Sequence, residues 1–262
     1  MSNRAITSLN NETVKSVRAL HMRKAREESG LFLVEGLRSV TEAVELGHEP
    51  RILLFSDKSA DHPALRRAQI AARESLEVTP AILSKISRRE NAQMVLGVFE
   101  QRLQALDELD PARTNVLVGL EAVRDPGNLG TIVRTVDAAD GAGVILIGDC
   151  CDPYSVEAVR ASMGSIFAVP IVQVDTAAFL AWRAGWPGSV IGTLLTATQD
   201  FRSAAYRRPS LILLGNEQAG LTPALAAACE TTVKIPMRGR ADSLNLAVAA
   251  GLMIYAAAPD AA

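Results

Sequence analysis

Residues 235–258 read IPMRGRADSLNLAVAAGLMIYAAA, and this stretch decides how the second half of the chain is interpreted. It is predicted to begin at the end of a strand, which Pro236 stops, and to continue as a polar loop. A helix is predicted from Ser243 or just before it, because Asp242 and Ser243 can accept hydrogen bonds from the free N–H groups of a first turn. The helix is almost entirely apolar after Asn245, which predicts burial over most of its circumference.

Asn245 is the exception in this apolar helix. A buried carboxamide without hydrogen-bond partners costs roughly 1–3 kcal/mol, so its side chain needs a role. It could be a second capping residue, or it could face a ligand at the helix N-terminus. The spacing alone leaves both alternatives open.

The composition limits the classes of protein that this chain can belong to. Its 262 residues and 48% hydrophobic content allow one large or two modest domains with real cores. Cys150, Cys151 and Cys229 have neither metal-ligand nor Cys-x-x-Cys spacing, which favours a reducing compartment and predicts no metal site. No apolar signal segment and no apolar run of the roughly 20 residues that span a bilayer are present, so we expect a cytoplasmic protein without a membrane partner.

The distribution of charge is more informative than the net charge of −2. Residues 15–26 contain five basic side chains and no acidic one, whereas the chain from Thr114 onward is net acidic. If a polyanion binds, we therefore expect contact through this N-terminal segment and a few further arginines. The alternative is that residues 15–26 form a solvated helix face.

Short apolar strands alternate with helices along the chain. The first hundred residues predict a compact α/β unit. From residue 116 onward, continuous apolar strands between helices predict a parallel sheet that is covered on both faces. We expect a first domain over residues 1–106, a linker over 107–113 and a second domain over 114–262. The predicted elements include a helix over 10–28, a helix over 129–139 and a strand over 167–172.

Three loops of the second domain follow strands and carry unusual residues. Parallel sheets bind ligands beyond the carboxyl ends of their strands. The first loop contains Asn128 and leads into a helix with Arg134 about one turn from its start; the second places Glu217 between two glycines; the third ends at Asn245. Together they predict a site that holds its ligand mostly by backbone groups. Each loop alone could be an ordinary turn, and Arg134 could be an ordinary surface residue.

These loops resemble the signature motifs of the SpoU–TrmH family of RNA ribose methyltransferases. The matching motifs are N-x-G-x-x-x-R at 128–134, LGNEQAGL at 214–221 and I-P-M-x₅-S-L-N at 235–245, in the family's order. FLVEGLRSV at 32–40 is similar to the small substrate-binding domain that precedes the catalytic domain in many members. Asp140 and Gln218 depart from the commonest pattern, and neither replaces the arginine, glutamate or asparagines of the motifs.

The resemblance implies an α/β protein in which a trefoil-knotted, parallel-sheet (SPOUT) catalytic domain follows a smaller L30e-like α/β domain. It also implies a homodimer with an active site completed across the interface. The implied reaction moves a methyl group from S-adenosylmethionine to a ribose 2′-hydroxyl of RNA, with ribosomal RNA as the expected substrate. Three alternatives stay open: a tRNA substrate, methylation of a base atom, or a non-catalytic RNA-binding protein with a vestigial cofactor site. A small-molecule enzyme that uses a nucleotide cofactor is a further, more distant alternative.

Carried over residue by residue, the resemblance implies roles for positions in the motifs. Arg134 would act as the base or stabilise the developing alkoxide, and the high pKa of a guanidinium favours stabilisation. The expected catalytic residues are Arg134, Asn245, Glu217 and Asn128. The residues expected to bind S-adenosylmethionine are Thr193, Leu195, Ala197, Leu214, Gly215, Asn216, Glu217, Gly220, Ile235, Met237, Ser243 and Leu244. The residues expected to bind RNA are Lys15, Arg18, Arg23, Lys24 and Arg124.

Overall fold

The chain folds into two compact units in the computed structural model, which describes residues 6–59, 62–91 and 93–258. The first unit comprises the described residues up to Gln101 together with Asp152–Phe167. The second comprises Arg102–Cys151 and the described residues from Ala168 onward. The chain therefore leaves the second unit after Cys151 and returns to it at Ala168. The boundaries of the domains stay a prediction.

Helices and strands alternate through both units. The helices are α1 (Glu12–Ala19), α2 (Arg23–Ser29), α3 (Leu37–Glu45), α4 (Pro63–Ala71), α5 (Pro80–Ser87), α6 (Pro126–Ala138), α7 (Val156–Ser162), α8 (Thr176–Arg183), α9 (Pro223–Ala227) and α10 (Leu246–Ala257). The strands are β1 (Leu31–Glu35), β2 (Ile52–Phe55), β3 (Glu74–Glu77), β4 (Val95–Glu100), β5 (Val116–Glu121), β6 (Gly143–Ile147), β7 (Ile171–Val174), β8 (Val190–Thr193), β9 (Gln199–Asp200), β10 (Ser210–Leu214) and β11 (Thr231–Lys234).

The first unit is built on a four-stranded mixed sheet in the order β1-β4-β2-β3. Only β2 and β3 pair in parallel. Four rings pack together at one side of this sheet, with centroids 4.7 Å apart for Phe32 and Tyr154 and 4.9 Å apart for Phe99 and Phe167. Two of these rings come from the segment Asp152–Phe167, so this segment completes the core of the first unit.

The single helix predicted over residues 10–28 is wrong, because the chain forms α1 and α2 with a break between them. The carbonyl of Leu20 accepts a hydrogen bond of 2.7 Å from Nη1 of Arg26, and Met22 is extended. The guanidinium of Arg26 also forms a 2.6 Å ion pair with Asp152 and is only 4% exposed. Arg26 is therefore a structural residue and is removed from the basic surface that the sequence indicated.

The second unit contains a seven-stranded sheet in the order β7-β6-β5-β10-β8-β11-β9, and every pair of neighbouring strands is parallel. Strands β5, β6 and β10 are buried along their whole length. Their continuous apolar sequences fit this position, because a parallel sheet is covered on both faces. The predicted α/β class with a parallel sheet is confirmed.

Helix α6 and the strand predicted over residues 167–172 differ from the prediction. Helix α6 begins at Pro126, because the Asp125 side chain caps it and proline is well suited to the first helical position. Arg134 therefore lies more than two turns into the helix, rather than one. The strand predicted over residues 167–172 is replaced by a 3₁₀ turn over Ser165–Phe167 and by β7, which begins after Pro170.

Candidate active site

Three polar side chains from the three loops form one chain of hydrogen bonds. Nδ2 of Asn245 donates to Oδ1 of Asn128 at 2.8 Å, and Nδ2 of Asn128 donates to Oε1 of Glu217 at 3.2 Å. The residues are far apart in sequence and each follows a different strand of the parallel sheet. The prediction that these loops could meet is confirmed by this geometry, whereas the catalytic roles of the three residues stay a prediction.

Asn245 is the N-cap of α10, and this corrects the predicted helix start at Ser243. Its Oδ1 accepts hydrogen bonds from the N–H groups of Ala247 at 2.9 Å and Val248 at 3.3 Å. Its Nδ2 is left free for the bond to Asn128. One amide thus fixes the start of the helix with its oxygen and the neighbouring loop with its nitrogen.

The second loop is held tightly because two of its residues are glycines. A Cβ atom on Gly215 would lie 2.0 Å from the carbonyl carbon of Gly220, and Gly220 has a φ of +69°. Asn216 and Gly220 pair through two backbone hydrogen bonds of 3.2 and 2.9 Å. Nδ2 of Asn216 also donates to the Ala122 carbonyl at 2.9 Å, which ties the second loop to the first.

Glu121 is a buried residue of this region that the sequence reasoning missed. It ends β5 and is 6% exposed. Its two carboxylate oxygens accept hydrogen bonds of 2.7 Å each from the N–H and the hydroxyl of Thr222, which caps α9. A charged residue at the end of an apolar strand was the available signal. Its effect is to hold the end of the second loop in place.

A cavity of about 380 Å³ opens beside the hydrogen-bonded chain. All predicted cofactor-binding residues line it except Ala197, which is buried without reaching it. The lining residues that the sequence reasoning missed are Leu194, Thr196, Gln218, Ala219, Leu221, Leu246 and Ala249. They are neighbours of the predicted residues in the same three segments, and cofactor binding by any of these residues stays a prediction.

Thr193 contributes an unusual polar atom to the cavity wall. Its Oγ1 is buried and has no hydrogen-bond partner among the described residues. An unpaired buried hydroxyl costs roughly 1–3 kcal/mol, so a partner supplied by a bound molecule would remove this penalty. The cavity therefore combines apolar walls, backbone groups of the glycine loop and one unused hydroxyl.

A wider polar groove of about 730 Å³ shares residues 216–220 with the cavity. Asn128 and Asn245 line the groove but not the cavity, and Glu217 lines both. Arg124 also lies on the groove, where it forms an exposed 2.6 Å ion pair with Asp149. The hydrogen-bonded chain thus stands at the boundary between an apolar cavity and a polar groove.

Arg134 is not brought to this boundary within one chain. It is exposed on α6, lines neither the cavity nor the groove, and has no hydrogen bond or ion pair among the described residues. Helix α6 packs against α10, with Thr135 close to Gly251. The predicted role of Arg134 therefore depends on something that approaches this face of the protein.

Helix α10 exposes a narrow apolar stripe, while the rest of its circumference is buried or half-buried, in agreement with the prediction that the helix is buried over most of its circumference. Val248, Leu252 and Tyr255 recur with helical spacing and are 51%, 40% and 60% exposed. The opposite side of the helix carries its fully buried residues, such as Ala250 and Met253.

The predicted RNA-binding residues of the N-terminal segment are mostly paired. Lys15 bonds Glu12 at 2.8 Å, Arg23 bonds Glu27 at 2.7 Å, and Lys24 lies 3.7 Å from Glu28. Arg18 has no such partner among the described residues. These contacts agree with the alternative of a solvated helix face for three of the four residues, and RNA binding by them stays a prediction.

The cysteines of the second unit are protected thiols. Burial raises the pKa of Cys150, and it raises the pKa of Cys151 to about 12 and that of Cys229 to about 11. For Cys151, the nearby Cys150, Asp125 and Glu217 add to the effect. These groups stay protonated near neutral pH, so they are unsuited to act as nucleophiles.

Neither a metal cluster nor a membrane span occurs among the described residues. No group of three or more histidine, cysteine, aspartate or glutamate side chains in that part of the chain could hold a metal ion. Among the helices described, none has the length and apolar character needed to cross a membrane.

Comparison with known proteins identifies what this arrangement is similar to. Residues 115–255 match the model of the SpoU rRNA Methylase family, and residues 11–97 match the MRM3-like substrate binding domain. The 23S rRNA (uridine(2479)-2′-O)-methyltransferase of Streptomyces viridochromogenes is 34% identical, over 97% of this chain and 91% of that protein. The 23S rRNA (guanosine(2553)-2′-O)-methyltransferase RlmP of Bacillus subtilis is 29% identical, over 95% and 97%. The AdoMet-bound rRNA methyltransferase from Sinorhizobium meliloti superposes with a TM-score of 0.91 at 43% identity, over 97% of each chain.

Proposed function

The chain belongs to the SpoU rRNA methylase family, and on that premise we propose that it methylates a ribose 2′-hydroxyl of 23S ribosomal RNA. It is an S-adenosylmethionine-dependent RNA 2′-O-methyltransferase. The choice of 23S rRNA as the substrate is supported by the Streptomyces and Bacillus relatives, which are named for that RNA and align with nearly the whole chain. We propose that the reaction takes place in the cytoplasm, where ribosomal RNA is modified. We also propose that the second unit contains the trefoil knot of its family.

The hydrogen-bonded chain Asn245–Asn128–Glu217 is the observation that carries the proposal. It joins all three motifs of the family at the boundary between the cavity and the groove. A methyl transfer needs the donor and the acceptor on opposite sides of such a boundary, held in line with each other.

The cavity fits S-adenosylmethionine, which supplies a methyl group already activated on a sulfonium when it is bound. Its volume of about 380 Å³ lies within the range of small-molecule sites. The glycine loop at Gly215 and Gly220 lets backbone groups approach a ligand closely, and apolar side chains such as Leu214 and Met237 line the walls. Thr193 is the residue that we expect to donate or accept a side-chain hydrogen bond there.

The polar groove would hold the nucleotide that receives the methyl group. Asn128 and Asn245 would orient the ribose, and Arg124 at the groove would contact a neighbouring phosphate. Glu217 would keep the amide of Asn128 in the required orientation, because it accepts the hydrogen bond from Nδ2. Arg134 would stabilise the negative charge that develops as the 2′-hydroxyl loses its proton.

A homodimer accounts for the position of Arg134 and for the apolar stripe of α10. A second copy packed on the face formed by α6 and α10 would cover Val248, Leu252 and Tyr255, which a soluble monomer would leave in water. It would also bring Arg134 of one subunit to the groove of the other. The site would then be complete only in the dimer.

Mixing two inactive variants tests this completion across the interface. Arg134→Ala and Asn245→Ala should each be inactive alone. In a random mixture, half of the dimers are heterodimers, and one of their two sites carries both intact residues if Arg134 acts in the partner. We expect recovery of roughly a quarter of the wild-type activity. A mixture with no recovered activity would place both residues in the same subunit's site.

The reaction itself is tested with purified protein, labelled S-adenosylmethionine and separate transcripts of 23S rRNA and tRNA. We expect label in 23S rRNA, within a dinucleotide that resists alkaline hydrolysis because its 2′-oxygen is methylated. Label confined to tRNA would refute the proposed substrate, and label on a base would refute the proposed acceptor. The Arg134→Ala variant is the control, because label that the proposed site transfers should be absent from its reactions.

A further inference from the structure

The second loop of the site, over residues 215–222, begins and ends at almost the same point. A Cβ atom on Gly215 would lie only 2.0–2.2 Å from backbone atoms of Gly220 and Leu221, so the two ends of the loop are in contact. Residues 216–220 line both the cavity and the polar groove. A shift of this loop would therefore move a wall that the cavity and the groove share.

Two consecutive residues of the first loop hold both ends of the second. Strands β5 and β10 are parallel neighbours, so the end of β5 stands beside the start of the second loop. Near that start, the carbonyl of Ala122 accepts the 2.9 Å hydrogen bond from Nδ2 of Asn216. At the other end, the carboxylate of Glu121 accepts both 2.7 Å bonds from Thr222. We call Glu121 and Ala122 the clamp.

Ala122 has an unfavourable backbone conformation in the clamp. Its φ is +50°, in the left-handed region that residues with a side chain rarely adopt. The neighbouring structure fixes it there, because its N–H donates to the Ile147 carbonyl at 3.1 Å and the next residue, Val123, is fully buried. Strained backbone of this kind is concentrated at functional sites. In this conformation the carbonyl of Ala122 faces the amide of Asn216.

Glu121 is unfavourable for a different reason. Its side chain is buried without an ion-pair partner among the described residues, although a buried charge is unfavourable unless it is compensated. Its carboxylate offers two acceptors on one group, which meet the N–H and the hydroxyl of Thr222. An apolar side chain would suit the end of a buried strand better if stability alone were needed. The holding of the second loop accounts for both residues of the clamp.

We propose that Glu121 and Ala122 are positioning residues, which hold the second loop where S-adenosylmethionine binds and so set the affinity for it. The inference rests on the proposed function, because it takes the cavity as the site of that cofactor. Neither residue lines the cavity, so both act through the loop. A released loop is correctly placed for only part of the time, and the apparent dissociation constant rises as the reciprocal of that fraction.

Two pairs of substitutions in the full-length protein test the two contacts of the clamp. Thr222→Val keeps the shape of the side chain but removes the hydroxyl that bonds Glu121, whereas Thr222→Ser keeps that hydroxyl. Ala122→Val disfavours the left-handed conformation, because a β-branched residue tolerates a positive φ poorly, whereas Ala122→Gly makes it easy to adopt.

Asp175→Ala is the matched control. It removes the side chain that caps α8, as Thr222→Val removes the one that caps α9. Asp175 lines neither the cavity nor the groove. This variant should lose stability towards urea without any change in the affinity for S-adenosylmethionine.

Three measurements are combined: calorimetric titration with S-adenosylmethionine, the kinetics of methyl transfer to a 23S rRNA transcript, and hydrogen exchange of the backbone amides of residues 216–222. We expect Thr222→Val and Ala122→Val to raise the dissociation constant by about tenfold, as for a loop that is correctly placed about one-tenth of the time. KM for S-adenosylmethionine should rise in parallel, whereas kcat should stay within about twofold, because saturating cofactor restores the loop. The loop amides should exchange faster in both variants. Thr222→Ser and Ala122→Gly should bind within about threefold of wild type.

An unchanged dissociation constant in folded Thr222→Val and Ala122→Val would overturn the inference; if Ala122→Val does not fold, the Thr222 pair decides alone. Weaker binding without faster exchange of the loop amides would also overturn it, since the residues would then not act through the loop. An equal loss of affinity in Asp175→Ala would reduce the effect to general stability. Failure of the proposed function looks different: the wild-type protein would transfer no methyl group to 23S rRNA, while the titrations and the exchange of the variants would still decide the role of the clamp.

Discussion

Replacing Asn245 should separate its two roles, as the N-cap of α10 and as the hydrogen-bond donor to Asn128. Serine caps a helix about as well as asparagine, but it has no amide to reach Asn128. Asn245→Ser should therefore lose one hydrogen bond, about 1 kcal/mol of the free energy of unfolding. Asn245→Ala should also lose the cap, which adds about 1 kcal/mol, for a total of about 2 kcal/mol.

A double-mutant cycle isolates the bond itself. Asn128→Ala removes the bond from Asn245 and the bond to Glu217, so we expect a loss of about 2 kcal/mol. Adding Asn245→Ser to Asn128→Ala should then lower the stability no further, because the shared bond has already been lost. The expected coupling between the two positions is about 1 kcal/mol.

Tryptophan fluorescence provides a selective assay. Both tryptophans of the chain, Trp182 and Trp186, lie in the second unit. Urea unfolding followed by their emission therefore reports on the unit that contains the site. If the losses in free energy of unfolding of the two single variants add up to that of the double variant within about 0.3 kcal/mol, the bond has no energetic role. Equal losses for Asn245→Ser and Asn245→Ala would refute the role of Asn245 as the cap.

Three further predictions concern the catalytic arginine, the cavity and the buried thiols. Arg134→Ala should abolish methyl transfer but leave the calorimetric affinity for S-adenosylmethionine within a few-fold of wild type, and a collapse of that affinity would make Arg134 structural. Thr193→Val should stabilise the ligand-free protein towards urea, because it removes an unpaired buried hydroxyl. The same substitution should weaken S-adenosylmethionine binding by about tenfold. An unchanged affinity for S-adenosylmethionine would show that the hydroxyl contacts no ligand. The pKa of Cys151 is raised from 9.0 to about 12, so the folded protein holds this proton more tightly than the unfolded chain. Its contribution to stability is complete below pH 9 and falls as the pH rises towards 12, by at most about 1.4 kcal/mol per pH unit; Cys151→Ser should flatten this fall in urea midpoints measured from about pH 8 to 10.5.

The sheet of the second unit could be predicted from sequence because its strands are buried on both faces. Strands β5, β6 and β10 are continuous apolar runs with helices between them, and a parallel sheet is the arrangement that buries such runs. The meeting of the three loops followed from the same argument, since the carboxyl ends of parallel strands share one edge.

Helix starts were harder to predict because a single side chain decides them. Asp125 and Pro126 both favour the start of a helix at that point. A predicted start at residue 129 instead placed Arg134 about one turn into the helix, whereas it lies more than two turns in. At the third loop, three candidates for a cap stood within four residues, and the contact with Asn128 favours Asn245 over Ser243. That contact is tertiary, so local sequence does not encode it.

The exposed stripe of α10 and the interleaved segment Asp152–Phe167 were missed for a related reason. Val248 and Ala250 are both apolar, and only the packing of α6 and the sheet decides which of them faces outward. Similarly, Tyr154 and Phe167 look like ordinary core residues of the second half. Their membership of the first unit depends on the partner rings Phe32 and Phe99, more than fifty residues earlier in the chain.

The interleaved segment also sets an order of events during synthesis. The ribosome delivers residues up to Gln101 first, but the ring cluster of the first unit lacks Tyr154 and Phe167 until the chain has grown well into the second. Phe32 and Phe99 must therefore wait several seconds at ordinary rates of translation, with their faces unprotected on the nascent chain. We therefore expect the nascent N-terminal half to expose an apolar surface that chaperones can bind until residues 152–167 emerge, and a gene cut at the predicted linker to leave that surface exposed permanently.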